Sequence, residues 1–144
     1  MLRLAAFAVA SAVATAAAGP LPPLTPLPLD RLLSSPDRLT ISVSHTGNPR
    51  ADGEYLLECH PVGGDHPRAA QACARLDRFA QDGENPFAEE PRRQICTQQD
   101  GGPARARITG TWQGRKVNAS FRRTNGCEIA RWRALEPVLP AGRS

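Results

Sequence analysis

The sequence predicts an α+β domain built around an antiparallel sheet, and three observations support that fold class. Segments with strand-like alternation precede and follow the one clear helical pattern, an order typical of α+β domains. Short turn signals separate the strands within each pair. Four cysteines stand behind an apolar, export-like N-terminus in a small chain, which indicates disulfide bonds.

The first pair of strands is predicted by side-chain alternation. Residues 39–44 alternate apolar and hydroxyl side chains, as a half-buried strand does. Asp52-Gly53 marks a turn, and residues 55–59 form the predicted second strand, which we expect to pair with the first as a hairpin.

The amphipathic helix follows this pair. Pro67 suits the first helical position, and Asp65 or His66 can cap it. Apolar residues continue at helical spacing to about Gly83, and the polar, proline-broken residues 84–94 predict a loop.

The second pair of strands occupies the last third of the chain. Residues 104–110 alternate again, and this strand is expected to continue towards Trp112. Gln113-Gly114 predicts a tight turn, and residues 117–121 form the returning strand. A short helix is expected over residues 127–135, and Pro137 ends it because proline cannot continue a helix.

The chain divides into four predicted segments. Residues 1–18 have the single charge, apolar run and small residues of a secretory signal peptide, and the run is too short to span a membrane. Residues 19–37 predict a disordered, proline-rich linker. Residues 38–137 form the domain and residues 138–144 a flexible tail. We therefore expect a secreted, extracellular protein whose mature form has no membrane segment.

Composition and motifs exclude several classes of function. The chain carries 18 basic and 14 acidic side chains, but export and the usual solvation of charged surfaces argue against a nucleic-acid partner. No nucleophile-elbow pattern is present, so we expect no enzyme. The set Cys59, His60, His66 and Cys73 matches no common zinc spacing, so we expect no metal and no cofactor.

The cysteines are the strongest constraint on function. Cys59, Cys73, Cys96 and Cys127 allow three pairings. The third is followed by the polar run Thr97-Gln98-Gln99-Asp100. A polar loop attached directly to a disulfide is a candidate binding or inhibitory site.

Several motifs, in order, resemble the Streptomyces subtilisin inhibitor-type family of secreted protease inhibitors, and the resemblance covers residues 39–135. The motifs are LECHP (57–61), GDHP (64–67), ACARL (72–76), GTWQGRKV (110–117) and NGCE (125–128). The resemblance implies the pairings Cys59–Cys73 and Cys96–Cys127, a five-stranded antiparallel sheet with two helices, secretion and a homodimer.

The resemblance also implies the activity, which is standard-mechanism inhibition of an extracellular serine protease of the subtilisin-like or trypsin-like type. In such inhibitors a preordered, substrate-like segment binds tightly and, when cut, is rejoined. The scissile bond lies two residues after the third cysteine, between Gln98 and Gln99, and Asn125 braces the segment. The other protease-contacting residues are Ile95, Cys96, Thr97 and Asp100.

The chain departs from the family pattern in this segment. Gln98 stands where the family commonly has Met, Lys or Arg, and the following stretch is one residue longer and contains Gly101-Gly102. Adjacent glycines are expected to loosen the segment. The alternative function is therefore a secreted binding protein that keeps the inhibitor fold but has lost inhibition.

Overall fold

The structure, a computed structural model, describes Gly19 and residues 36–142. The predicted signal peptide (1–18), most of the predicted linker (20–35) and the last two residues of the chain lie outside the described residues. Within the described part, no helix has the length and apolar character needed to cross a membrane.

The fold is a five-stranded antiparallel sheet with two helices, which confirms the predicted α+β class. The strands are β1 (Asp37–Ser44), β2 (Gly53–Cys59), β3 (Gly63–Gly64), β4 (Arg105–Trp112) and β5 (Arg115–Phe121), and their order in the sheet is β3-β2-β1-β4-β5. The helices are α1 (Ala69–Asp82) and α2 (Gly126–Ala134). The two-residue strand β3 was missed because so short a segment carries no periodicity.

The central strand β1 shows how alternation fixes the sheet. Leu39, Ile41 and Val43 are buried in the core, whereas the residues between them face the other side of the sheet. Ile41 pairs with Tyr55 of β2 and with Ile108 of β4. Strands β1 and β2 thus form the predicted first pair, and β4 continues the sheet on the other side of β1.

The hairpin between β4 and β5 uses the predicted turn. Gln113 and Gly114 both have positive φ, at 51° and 70°. Two successive positive φ angles are typical of the tight two-residue loop whose twist matches that of paired strands. The Gln113 amide also donates to the carboxylate of Asp37 at 2.7 Å, which ties the turn to the start of β1.

The start of α1 differs from the prediction. The helix begins after Arg68, and no side chain caps it. Asp65, a predicted cap, instead accepts a hydrogen bond from the Leu56 amide at 2.6 Å. His66, the other predicted cap, is buried, and its Nε2 lies 3.0 Å from the Val138 carbonyl oxygen. Asp65 is thus held by β2, whereas His66 contacts the C-terminal segment and also accepts a hydrogen bond from the Arg68 amide at 3.1 Å.

The C-terminal segment packs into the core. Leu135, Val138 and Leu139 are fully buried, and the Trp132 indole N–H donates to the Pro140 carbonyl at 2.8 Å. The packed structure therefore continues beyond residue 137, where the sequence predicted a flexible tail to begin. The sequence did not reveal this because two apolar residues between prolines have no helix or strand period, yet the core buries them.

One disulfide holds α1 against the sheet. Cys59, at the end of β2, is bonded to Cys73 of α1 with a Cα–Cα distance of 5.6 Å. Both residues are buried, at 3% and 2% exposure. This confirms the first predicted pairing.

Candidate functional site

The second disulfide attaches an exposed loop to α2. Cys96 and Cys127 are bonded with a Cα–Cα distance of 5.4 Å, which confirms the second predicted pairing. Cys127 lies in the first turn of α2, and both residues are half-buried. We call residues 95–102 the anchored loop.

The anchored loop presents its side chains to solvent. It has no helix or strand, and the run from Thr97 to Asp100 is exposed. Ile95 is 98% exposed, although it is a large apolar side chain. Such a side chain gains free energy when a partner buries it.

A main-chain hydrogen bond holds the loop just after the disulfide. The Gly126 amide, at the start of α2, donates to the Thr97 carbonyl at 2.9 Å. The two residues touch so closely that a Cβ on Gly126 would overlap the Thr97 hydroxyl oxygen. Only glycine lets α2 approach the loop this closely.

Asn125 acts at the same place through the helix. Its side-chain Oδ1 accepts a hydrogen bond from the Glu128 amide at 2.9 Å, as an N-cap residue does. This bond fixes the first turn of α2 and therefore the direction of the neighbouring Gly126 amide. The described side-chain bond of Asn125 is to the helix and not to the loop, so any bracing is indirect.

A second anchor lies at the far end of the loop. The Gly101 amide donates to the Arg123 carbonyl at 2.6 Å, and Arg123 Nε donates to the Gly101 carbonyl at 3.0 Å. A Cβ on Gly101 would lie 2.9 Å from a side-chain carbon of Ile129, so the backbone must come this close. Gly102 has a positive φ of 94°, and its amide donates to the Asp100 carboxylate at 2.9 Å.

These contacts overturn the expectation that the two glycines loosen the segment. Gly101 is bonded through both its amide and its carbonyl, and Gly102 adopts a backbone conformation that side chains rarely allow. The glycines permit a close contact and a sharp turn here.

Gln98 and Gln99 lie between the two anchors. Both are exposed. Among the described residues, neither side chain makes a hydrogen bond within the protein, so both amides are available to a partner. The loop thus offers a short exposed segment whose two ends are held.

Sequence reasoning missed two residues of this arrangement. Gly126 carried a usable signal, because a glycine beside a cysteine and a cap residue can mark a close backbone approach. Arg123 carried none, because it is one of 17 arginines and nothing in the sequence marks it as buried.

Metal binding is not supported at the cysteines. A Glu90 carboxylate oxygen lies within 4.8 Å of the sulfurs of Cys96 and Cys127, but these sulfurs form a disulfide and cannot act as thiolates. In the set Cys59, His60, His66 and Cys73, the two cysteines are likewise bonded to each other, and His60 Nε2 lies 2.8 Å from an Asp77 oxygen.

Comparison with known proteins identifies the family. The model of the subtilisin inhibitor-like family matches residues 35–125 of the chain, a range that includes the whole anchored loop and Arg123. The chain belongs to the subtilisin inhibitor-like family. It is a family of protease inhibitors and not of enzymes, in agreement with the sequence analysis.

Two known proteins each align with 67% of this chain. Subtilisin inhibitor-like protein 1 from Streptomyces cacaoi is 31% identical in an alignment 100 residues long, which covers 67% of this chain and 90% of that protein. The crystal structure of Streptomyces caespitosus sermetstatin in complex with Bacillus licheniformis subtilisin aligns at 20% identity with a TM-score of 0.42, over 67% of this chain and 91% of that one.

Proposed function

We propose that the protein is a secreted, standard-mechanism inhibitor of extracellular serine proteases of the subtilisin-like or trypsin-like type. One observation carries the proposal: the exposed segment that contains Gln98 and Gln99 is held at both ends. The Cys96–Cys127 disulfide holds one end and the bonds between Gly101 and Arg123 hold the other.

Preorganisation explains tight binding. A flexible peptide loses conformational entropy when a protease orders it, whereas this segment is already restrained. In the proposed complex Ile95 enters an apolar subsite, Cys96 and Thr97 lie along the non-primed subsites, and Gln98 enters the primary pocket. The exposure of Ile95 supports this arrangement, because its burial becomes a gain made only on binding.

The two anchors also explain slow turnover. The protease serine attacks the Gln98 carbonyl, and the Gln98–Gln99 bond breaks to give an acyl-enzyme and a new amine on Gln99. Because the chain is held on both sides, this amine stays beside the ester. Its high effective concentration favours re-formation of the peptide bond over hydrolysis by water.

The proposal extends to the rest of the chain. The sequence pattern and the family support export through residues 1–18, a linker and a homodimer. N-terminal sequencing of the secreted protein tests the first, and sedimentation equilibrium tests the dimer. The linker was predicted to extend to residue 37, but Asp37 is buried and belongs to β1, so the linker ends before that strand.

Inhibition constants for subtilisin and trypsin test the function. The parent protein should inhibit subtilisin, and Gln98→Lys should move inhibition towards trypsin, because the new ammonium can pair with a carboxylate in a trypsin-like primary pocket. Gln99→Lys is the matched control, since it adds the same charge one residue later. If neither the parent nor Gln98→Lys slows either protease at micromolar concentration, the proposal is wrong.

The second candidate is a secreted binding protein that has lost inhibition. It is favoured by Gln98, whose amide offers neither the apolar surface nor the charge of the usual primary residue. Digestion with subtilisin distinguishes the two functions. Slow cleavage that leaves an uncut fraction at equilibrium supports the inhibitor, and rapid, complete cleavage at Gln98–Gln99 supports the alternative.

A further inference from the structure

We infer that Arg123 is a positioning residue of the inhibitor, which holds the part of the anchored loop that follows the reactive bond. The inference rests on the proposed function, because it assigns Arg123 the task of keeping the cut segment in place for rejoining.

The contact between Arg123 and the loop has two points. The Arg123 main chain accepts the Gly101 amide at 2.6 Å, and its side-chain Nε donates to the Gly101 carbonyl at 3.0 Å. Arg123 stands two residues after β5 and is 2% exposed. Its guanidinium carbon lies 5.8 Å from the centre of the Trp132 ring. The loop is therefore held from the edge of the core.

Apart from this contact and the nearby Trp132 ring, little in the described structure compensates the charge of the guanidinium. Among the described residues it forms no ion pair, its NH1 is buried without a hydrogen-bond partner, and the bond to Gly101 is its one side-chain hydrogen bond. A buried cation without a counter-charge reduces the stability of the fold, and replacing it by an apolar residue of similar volume often increases that stability. Holding the core together is thus a poor account of Arg123, whereas holding the loop fits its one bond.

The position of Gly101 explains what the contact does. Gly101 follows Gln99 by two residues, so it is the nearest anchor to the new amine after cleavage. The other side of the bond is held separately, by the Cys96–Cys127 disulfide and the Thr97–Gly126 hydrogen bond. Loss of the Arg123 side chain should therefore leave the amine-bearing side held by the main-chain bond between Gly101 and Arg123 alone. We expect this side to become more mobile and rejoining to become less frequent.

The test compares Arg123→Met with Arg131→Met in the full secreted protein. Arg131 is a matched control: its guanidinium lies 4.2 Å from the Phe121 ring centre and donates to the carbonyls of Ser120 and Ala88, but none of these belongs to the loop. We expect Arg123→Met to raise the inhibition constant for subtilisin by about 10- to 150-fold, the range that follows from losing one charged hydrogen bond.

Two further readouts separate positioning from stability. The equilibrium ratio of cut to intact protein should rise in Arg123→Met. The urea midpoint of Arg123→Met should equal or exceed that of Arg131→Met, because the substitution removes an uncompensated buried charge. Should Arg123→Met fail to fold, Arg123→Lys keeps the charge and removes the Nε–H. Unchanged inhibition in the Arg123 variant, or an equal loss in Arg131→Met, overturns the inference.

Hydrogen exchange at the Gly101 amide tests the contact between Arg123 and the loop without relying on the proposed function. Faster exchange at this amide in the Arg123 variant, with parent-like exchange in Arg131→Met, supports the contact. Unchanged exchange overturns it. A parent protein that does not inhibit any protease refutes the proposed function and the inhibitory role of Arg123, even where exchange supports the contact itself.

Discussion

Replacing both Cys96 and Cys127 by alanine should abolish inhibition and leave a folded protein. Their disulfide holds the loop against α2, and both residues are half-buried, so the replacement leaves little apolar volume unfilled. Replacing Cys59 and Cys73 by alanine is the matched control. It removes the other disulfide, which lies in the core and does not contact the loop.

The expected losses of stability are similar for the two variants. The Cys96–Cys127 pair is separated by 31 residues and the Cys59–Cys73 pair by 14. Chain entropy assigns these closures about 3.7 and about 3.0 kcal/mol. Small domains have unfolding free energies of about 5–15 kcal/mol, so each variant keeps part of its stability. The control also loses buried sulfur contacts, which makes its total loss comparable or larger.

Two measurements distinguish the roles of the disulfides. Urea unfolding gives the free energy lost in each variant, and subtilisin inhibition is then measured at a temperature well below both unfolding midpoints. We expect the variant without Cys96 and Cys127 to be cleaved at Gln98–Gln99 as an ordinary substrate. The variant without Cys59 and Cys73 should still inhibit.

The comparison can refute the reasoning in two ways. Parent-like inhibition without the Cys96–Cys127 disulfide would show that restraint at this end of the loop is unnecessary. An equal loss of inhibition in both variants would show that global stability, and not local anchoring, controls binding.

Two further predictions concern the loop contact and pH. Gly126→Ala should raise the inhibition constant for subtilisin about tenfold or more, because the added Cβ overlaps the Thr97 hydroxyl. The helix propensity of alanine is higher than that of glycine, so a change in propensity should not lower the urea midpoint. Parent-like inhibition would contradict the contact. Burial lowers the pKa of His66 below its ordinary value of about 6.5, and the hydrogen bond to the Val138 carbonyl opposes this shift. Neutral His66 therefore contributes stability that is present above about pH 6.5 and is lost as the pH falls towards the folded-state pKa. Urea unfolding at neutral pH and at about pH 5 should show a smaller pH effect in His66→Asn than in the exposed control His45→Asn, and equal effects would refute the assignment.

Much of the sheet could be predicted from the sequence because its information is local. Leu39, Ile41 and Val43 alternate with polar residues, and that period alone places them in the core. The Gln113-Gly114 turn is local in the same sense, since two residues determine the twist that joins β4 to β5.

The errors arose where distant contacts decide the structure. Asp65 has the chemistry of a helix cap, yet the Leu56 amide on β2 binds its carboxylate. Val138 and Leu139 show no period, yet the core buries them. The disulfides and the exposed segment could be predicted through the family resemblance, whereas Arg123 could not, because its role depends on the backbone of Gly101 folding back onto it.

The packing around Trp132 has a practical consequence for handling the protein. This indole contacts the Arg123 guanidinium and donates to the Pro140 carbonyl, so the C-terminal segment and the anchored loop share one neighbour. A label, tag or surface linker attached just after Pro140 is therefore expected to disturb the packing of Trp132 and, through it, the position of the Arg123 side chain. Attachment before residue 36 acts instead on the start of β1, whose nearest described ties are to β2, β4 and the Gln113 turn.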